Sequence, residues 1–245
     1  MLTTAPRLLR RSAGFALDFV APNRCGACGS RIHSAGLCSA CWTKAQFVSA
    51  PLCARCGLPF DFDAGPDLWC GACIAHPPSF DRARSALVYG DVSRDLILAF
   101  KHGDRLDLTP LAVSWLQSAG RELLADADVV IPVPLHPRRL LRRRYNQSSV
   151  IALRLAAANG LGVLVGALRR TRNTPSQGGL GRRARETNVR GAIQVHAAAR
   201  SLVAARRVLL IDDVLTTGAT VNVCAGALLR AGAAHVDVLT LARVV

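Results

Sequence analysis

Residues Val208 to Thr220 read Val-Leu-Leu-Ile-Asp-Asp-Val-Leu-Thr-Thr-Gly-Ala-Thr. The apolar run forms a strand buried on both faces, so whatever follows it emerges at the strand's tip. There, Asp212 and Asp213 offer paired carboxylates, which accept hydrogen bonds from vicinal hydroxyls such as those of a ribose. The loop behind them opens a helix, whose N-terminal N–H groups and dipole favour an anion. With the hydroxyls of Thr216, Thr217 and Thr220, and with Gly218 and Ala219 letting the backbone come close, this loop can surround a phosphate. It lacks the Gly-Lys-Ser/Thr ending of a triphosphatase loop, which disfavours phosphoryl transfer. The competing reading is an acidic strand end that caps a helix and binds nothing.

Eight of the nine cysteines fall in four Cys-x-x-Cys pairs: Cys25/Cys28, Cys38/Cys41, Cys53/Cys56 and Cys70/Cys73. Two thiolates at this spacing can face one ion from a tight turn, and two such pairs close a tetrahedral site. The pattern also repeats, so each half resembles a zinc ribbon. Sequential pairing assigns one zinc to Cys25, Cys28, Cys38 and Cys41 and the other to Cys53, Cys56, Cys70 and Cys73; cross-bracing is the alternative. An iron–sulfur cluster fits the spacings less well. Four thiolates per ion leave no place for His33 or His76, nor for an activated water, so the metal is expected to be structural. Cys224 lies in a helical pattern and reads as a buried apolar residue.

The formal net charge is +15, and it is concentrated. Residues 138–200 hold fourteen arginines against one acidic residue, Glu186, whereas residues 25–80 are balanced. Such a belt implies an anionic partner: nucleic acid, a polyphosphate or a small ligand with several phosphates. Part of the excess is compositional, since the chain has two lysines, Lys44 and Lys101. No apolar run approaches the ~18 residues of a membrane span. Arg7, Arg10 and Arg11 precede an apolar stretch, but Asp18 interrupts it and no small-residue cleavage site follows, unlike a secretory signal. An amphipathic helix with Leu8, Leu9, Phe15 and Phe19 over residues 1–24 is expected instead, and a cytoplasmic protein.

A strand–acid–loop motif needs a sheet to hold it. From about Pro77 the pattern alternates. Strands are expected at Arg84–Tyr89, Asp128–Val133, Arg206–Ile211 and Val236–Leu241, and helices at Val92–His102, Leu106–Leu124, Gln147–Asn159 and Ala219–Ala231. Gly162–Leu168 is a short apolar piece. The alternation implies an α/β fold, a mostly parallel sheet flanked by helices, with ligands beyond the carboxyl ends of its strands. The expected organisation is the helix over 1–24, a double zinc ribbon over 25–76 and the α/β domain over 77–245.

The run of four apolar residues, two acids and Thr-Thr-Gly-x-Thr resembles the signature of type I phosphoribosyltransferases. That resemblance implies that Asp212 and Asp213 hold the ribose hydroxyls of phosphoribosyl diphosphate and that Thr216–Thr220 hold its 5-phosphate. Three further stretches extend the resemblance to the ComF family, a double ribbon joined to a phosphoribosyltransferase-like domain and associated with DNA uptake. They are Ile131-Pro-Val-Pro134, Arg143-Arg-Tyr-Asn146-Gln147, and Gln177 followed by Arg185-Glu-Thr-Asn188-Val-Arg-Gly191. The family usually has glycine where Arg144 stands, which puts the geometry of that turn in question.

The implied reaction releases diphosphate from C1 of the ribose and calls for magnesium and arginines at the leaving group. Arg143, Asn146, Gln147, Gln177, Arg185 and Asn188 are the candidates on that side, with Arg185 the first choice and a catalytic role for Asp212, Asp213 and Arg185. A non-catalytic sensor of phosphoribosyl diphosphate or a nucleotide is the second hypothesis. The third is an accessory that binds single-stranded DNA or other proteins of the uptake machinery.

Overall fold

The computed structural model describes residues 23–63, 65–102, 105–171 and 191–245. The helix expected over 1–24 falls almost wholly outside them, as do Gln177, Arg185 and Asn188.

Five strands make one parallel sheet in the order β1-β7-β6-β2-β3. They are β1 (Ala83–Val88), β2 (Val129–Pro132), β3 (Gly162–Val163), β6 (Arg207–Leu215) and β7 (His235–Arg243). Between them, β4 (Leu168–Arg170) and β5 (Ile193–Val195) pair as a separate antiparallel ribbon. The helices of this part are α3 (Asp91–His102), α4 (Thr109–Ala119), α5 (Arg121–Asp126), α6 (Pro137–Arg143), α7 (Gln147–Ala158), α8 (Arg200–Val203) and α9 (Ala219–Arg230).

Side chains alternate along β6, and the alternation sorts the layers. Val208 and Leu210 pack with Val221, Cys224 and Leu228 of α9, while Leu209 and Ile211 pack with Val113 and Leu116 of α4 and Ile151 and Leu155 of α7. The helix α3 joins α4 on that second face, with Leu96, Ile97 and Phe100 against Leu87 and Leu241. Cys224 is fully buried in the first layer, as its helical setting implies.

Three boundaries differ from the expected ones. The central strand does not stop at Ile211; it runs on to Leu215 because β7 continues beside it, through Asp212↔Thr240 and Leu215↔Arg243. The stretch 106–124 is broken into a 3-10 turn (Leu106–Leu108), α4 and α5, with Gly120 leaving helical geometry at φ −109° and ψ 20°. The apolar piece after Gly162 gives two residues to the sheet and then departs from it at Leu168.

The repeat in the sequence is a repeat in space. Each ribbon begins with a knuckle whose sulfur accepts backbone hydrogen bonds: Cys38 N–H to Cys25 Sγ at 3.3 Å, and Cys70 N–H to Cys53 Sγ at 3.2 Å. Each ends with its last two cysteines at the start of a single helical turn, α1 (Ser39–Trp42) or α2 (Gly71–Ala75). Both ribbons rest on the α/β domain, and the chain after the first also bridges to β1 through Phe47↔Leu87. The first packs Trp42 and Phe47 against Trp115 of α4, and Arg105 donates to the Arg24 carbonyl at 2.7 Å. The second lies on β1: Ala83 N–H donates to the Arg55 carbonyl at 2.8 Å, and Gly57, at φ +70°, sits where a Cβ would be 2.4 Å from the Ala83 carbonyl oxygen.

Candidate functional site

The loop after β6 turns into α9 through Gly218, the residue before the first helical turn, in the left-handed region at φ +76°. That conformation suits glycine and aims the first N–H groups of the helix outward. The Thr217 hydroxyl accepts from Ala219 N–H at 3.4 Å, folding the loop on itself.

Just before it stand the two acids. Asp212 Oδ1 accepts from the Ser148 hydroxyl at 3.2 Å and from Asp213 N–H at 2.9 Å. Burial, and then the neighbouring Asp213, raise the Asp212 carboxyl to about 7. Asp213 Oδ2 is 2.7 Å from Lys101 Nζ, an ion pair with each side chain about one-fifth exposed at 20% and 21%. Lys101 is the cation that sequence reasoning missed. It belongs to the last turn of α3, and Tyr145 and Gln147 both donate to the carbonyl of its neighbour Phe100 (the Gln147 bond is 3.4 Å).

The acids, Thr216–Thr220, Lys101, Arg139, Arg143, Gln147, Ser148 and Arg170 line one cleft of about 550 Å³. The expected ribose and phosphate residues are therefore together, and Arg143 faces the same space. Asn146 is used structurally. Its side chain accepts from Ser148 N–H at 3.1 Å, which caps α7, and donates to the Val133 carbonyl at 2.9 Å. Gln147 touches the cleft but is 2% exposed and committed to Phe100. Arg170 was also missed; it ends β4, is nearly buried, and its position depends on the hairpin leaving the sheet. Arg144 takes the left-handed conformation, φ 66° and ψ −23°, at the end of α6. The tight turn that glycine would make is thus kept by an arginine.

The cysteines gather as two sequential sets, Cys25, Cys28, Cys38 and Cys41, and Cys53, Cys56, Cys70 and Cys73, each with its sulfurs within 4.8 Å of one another. Zinc–sulfur bonds of about 2.3 Å put tetrahedral ligands about 3.8 Å apart. The Cys28–Cys38 and Cys56–Cys70 sulfurs are 3.7 Å apart, so both sets fit zinc. Burial, and then the neighbouring sulfurs, push Cys41 up to about 12, while the Ser30 hydroxyl draws the exposed Cys28 down to about 6. A divalent cation among the four relieves that conflict by favouring every thiolate. All four positions are protein ligands, so these are structural centres. Among the described residues no helix is long and apolar enough to cross a membrane.

A profile of the double zinc ribbon domain matches residues 16–74. Competence protein F of Haemophilus influenzae is 32% identical over 227 residues, covering 90% of this chain and 96% of the relative. The DNA utilization protein YhgH of Escherichia coli K12 is 33% identical over 213 residues, 85% of this chain and 90% of that one. Among solved structures, the orotate phosphoribosyltransferase of Aeropyrum pernix is 21% identical over 65% of this chain and 68% of its own, with a TM-score of 0.37. With 32% identity to competence protein F over 90% of this chain and 96% of that one, and with the double ribbon at residues 16–74, the chain belongs to the ComF family.

Proposed function

We propose that the cleft binds phosphoribosyl diphosphate, or a nucleotide carrying ribose 5-phosphate, and that the protein is a phosphoribosyltransferase serving DNA uptake or nucleotide metabolism. One observation carries this reading: the acid pair, on the strand that runs on beside β7, lines the same cleft as the loop that opens the twelve-residue helix α9, with basic residues around them. Carboxylates for the hydroxyls and helix N–H groups for the 5-phosphate are then spaced by the same strand-to-helix turn.

In the transfer step the bond from C1 to the diphosphate oxygen breaks and a bond from C1 to a nitrogen nucleophile forms. The nitrogen gives up its proton and diphosphate leaves with the electron pair. Asp212 and Asp213 orient the sugar, and Arg143 with Arg185 and Asn188 answers the charge on the leaving group. Asp212 and Asp213 offer only oxygen donors, which suits magnesium; bound with the diphosphate, that ion supplies charge neutralisation.

Phosphoribosyl diphosphate with magnesium should raise the melting temperature of the normal protein and leave an Asp212→Ala/Asp213→Ala variant unmoved, a shift worth about 2.7 kcal/mol at a hundredfold excess over Kd. Absence of any shift sinks the reading. Diphosphate release, screened across purine, pyrimidine and pyridine bases, separates a transferase from a sensor.

The names of the relatives favour a second reading, a single-stranded-DNA-binding accessory of the uptake machinery. Arg138 and Arg144 lie exposed on and after α6, where they can contact phosphates. DNA binding of this kind falls steeply with salt. Binding that is absent or indifferent to salt rejects it.

A further inference from the structure

The Lys101–Asp213 ion pair occupies the carboxylate that a ribose hydroxyl needs, and the fold goes to some length to put it there. Tyr145, between α6 and α7, and Gln147, the first residue of α7, both hold the Phe100 carbonyl, so the last turn of α3 is clamped over the acids. Lys101 also comes from the opposite side to the phosphate loop. The α3 side chains pack in the layer with α4, while α9 packs on the other face of the sheet. A sugar with its 5-phosphate on α9 therefore has Lys101 toward its far end.

We propose that Lys101 is a ligand-contacting residue that senses an anionic group on C1 of the bound sugar. In the empty cleft its ammonium neutralises Asp213. When the vicinal hydroxyls take Asp213, the flexible four-carbon stem carries the ammonium to the substituent on C1. A sugar with a diphosphate there gives the displaced cation a new partner. A sugar with only the 5-phosphate leaves it unpaired in a partly buried place, which costs affinity. The cleft thereby favours 1-phosphorylated ligands over plain ribose 5-phosphate. This rests on the ribose-phosphate reading of the cleft.

The chain has two lysines, so one labelling experiment tests the idea on the unaltered protein. Lys44 is exposed on the first ribbon and serves as the internal reference. Brief acetylation followed by mass spectrometry should show Lys101 more reactive than in the free protein when ribose 5-phosphate saturates the site. It should be protected when phosphoribosyl diphosphate with magnesium does. Equal labelling with both ligands bound overturns the proposal and leaves the ribose-phosphate reading standing. Failure of the protein to bind either ligand removes both.

Calorimetry on Lys101→Met should show phosphoribosyl diphosphate weakened by about tenfold or more and ribose 5-phosphate changed by less than about twofold. Lys101→Arg should restore most of the difference. Equal weakening of both ligands by Lys101→Met would mean that the pair only supports the fold, and would overturn the assignment.

Discussion

Arg243, the last residue of β7, donates from Nη1 to the Cys56 carbonyl at 2.5 Å. The bond spans 187 positions of sequence and fastens the second ribbon to the strand beside the phosphate loop, since Arg243 is in register with Leu215. Burial pushes the Cys56 thiol up, and the Arg243 guanidinium works against it. The side chain is 5% exposed, so truncation leaves a buried carbonyl without its donor. Arg243→Ala should cost about 1–3 kcal/mol in urea unfolding. It should also speed chelator-driven release of one of the two metals. An unchanged release rate would mean that the contact does not support the centre.

The two centres should part with zinc in order. Cys28 of the first set is exposed, whereas every cysteine of the second is buried or half-buried. A normal preparation should hold two zinc ions per chain. A chromophoric chelator should then remove them in two phases, and Cys28→Ser should abolish the faster one. A single phase for both ions argues against the burial difference as the cause.

The position of Asp212 predicts a pH dependence. Its carboxyl is raised to about 7 by burial and by Asp213, in that order. An unfolded aspartate titrates near about 3.9, so the folded chain keeps a proton that the unfolded chain has released. The stability this adds is complete below the unfolded value and is lost as the pH rises through the folded one. Between about pH 4 and pH 7 the ligand-free protein should lose melting temperature, and Asp212→Asn should flatten the slope. A steeper slope in that variant would refute the assignment.

Arg144 holds a left-handed conformation that costs a residue with a Cβ about 1–2 kcal/mol. Glycine relieves the strain but loses more freedom on folding, an opposing effect of about 0.5–1 kcal/mol. Arg144→Gly should thus stabilise by a few tenths to about 1 kcal/mol, read from the urea midpoint. A loss of stability would show that the arginine side chain contributes more than its backbone costs.

Much of the site was legible because its chemistry is local. Asp212, Asp213 and Thr216–Thr220 lie on one strand and one turn, so nine residues of sequence carry their geometry. The ribbons were legible for the same reason, each knuckle being four residues long. Lys101 was not, because its meeting with Asp213 crosses 112 positions and depends on Tyr145 and Gln147 holding Phe100. Asn146 and Gln147 were expected beside a diphosphate. The sequence marks them as polar and close to a strand end, but cannot say that Val133 and Phe100 take their donors. The extension of β6 to Leu215 was hidden too, since acids and threonines weaken a strand pattern that β7 then supplies from outside.

Gly57 has a consequence for the history of the paired ribbons. The corresponding residue in the first unit, Gly29, has nearly the same backbone angle, φ +73°, yet among the described residues no atom lies within 4 Å of where its Cβ would be. An asparagine, which tolerates that conformation, can replace Gly29, but at Gly57 any side chain strikes the Ala83 carbonyl. Two units so alike on paper are therefore not interchangeable cassettes: a graft of the first into the place of the second succeeds only if it brings a bare backbone to that one spot.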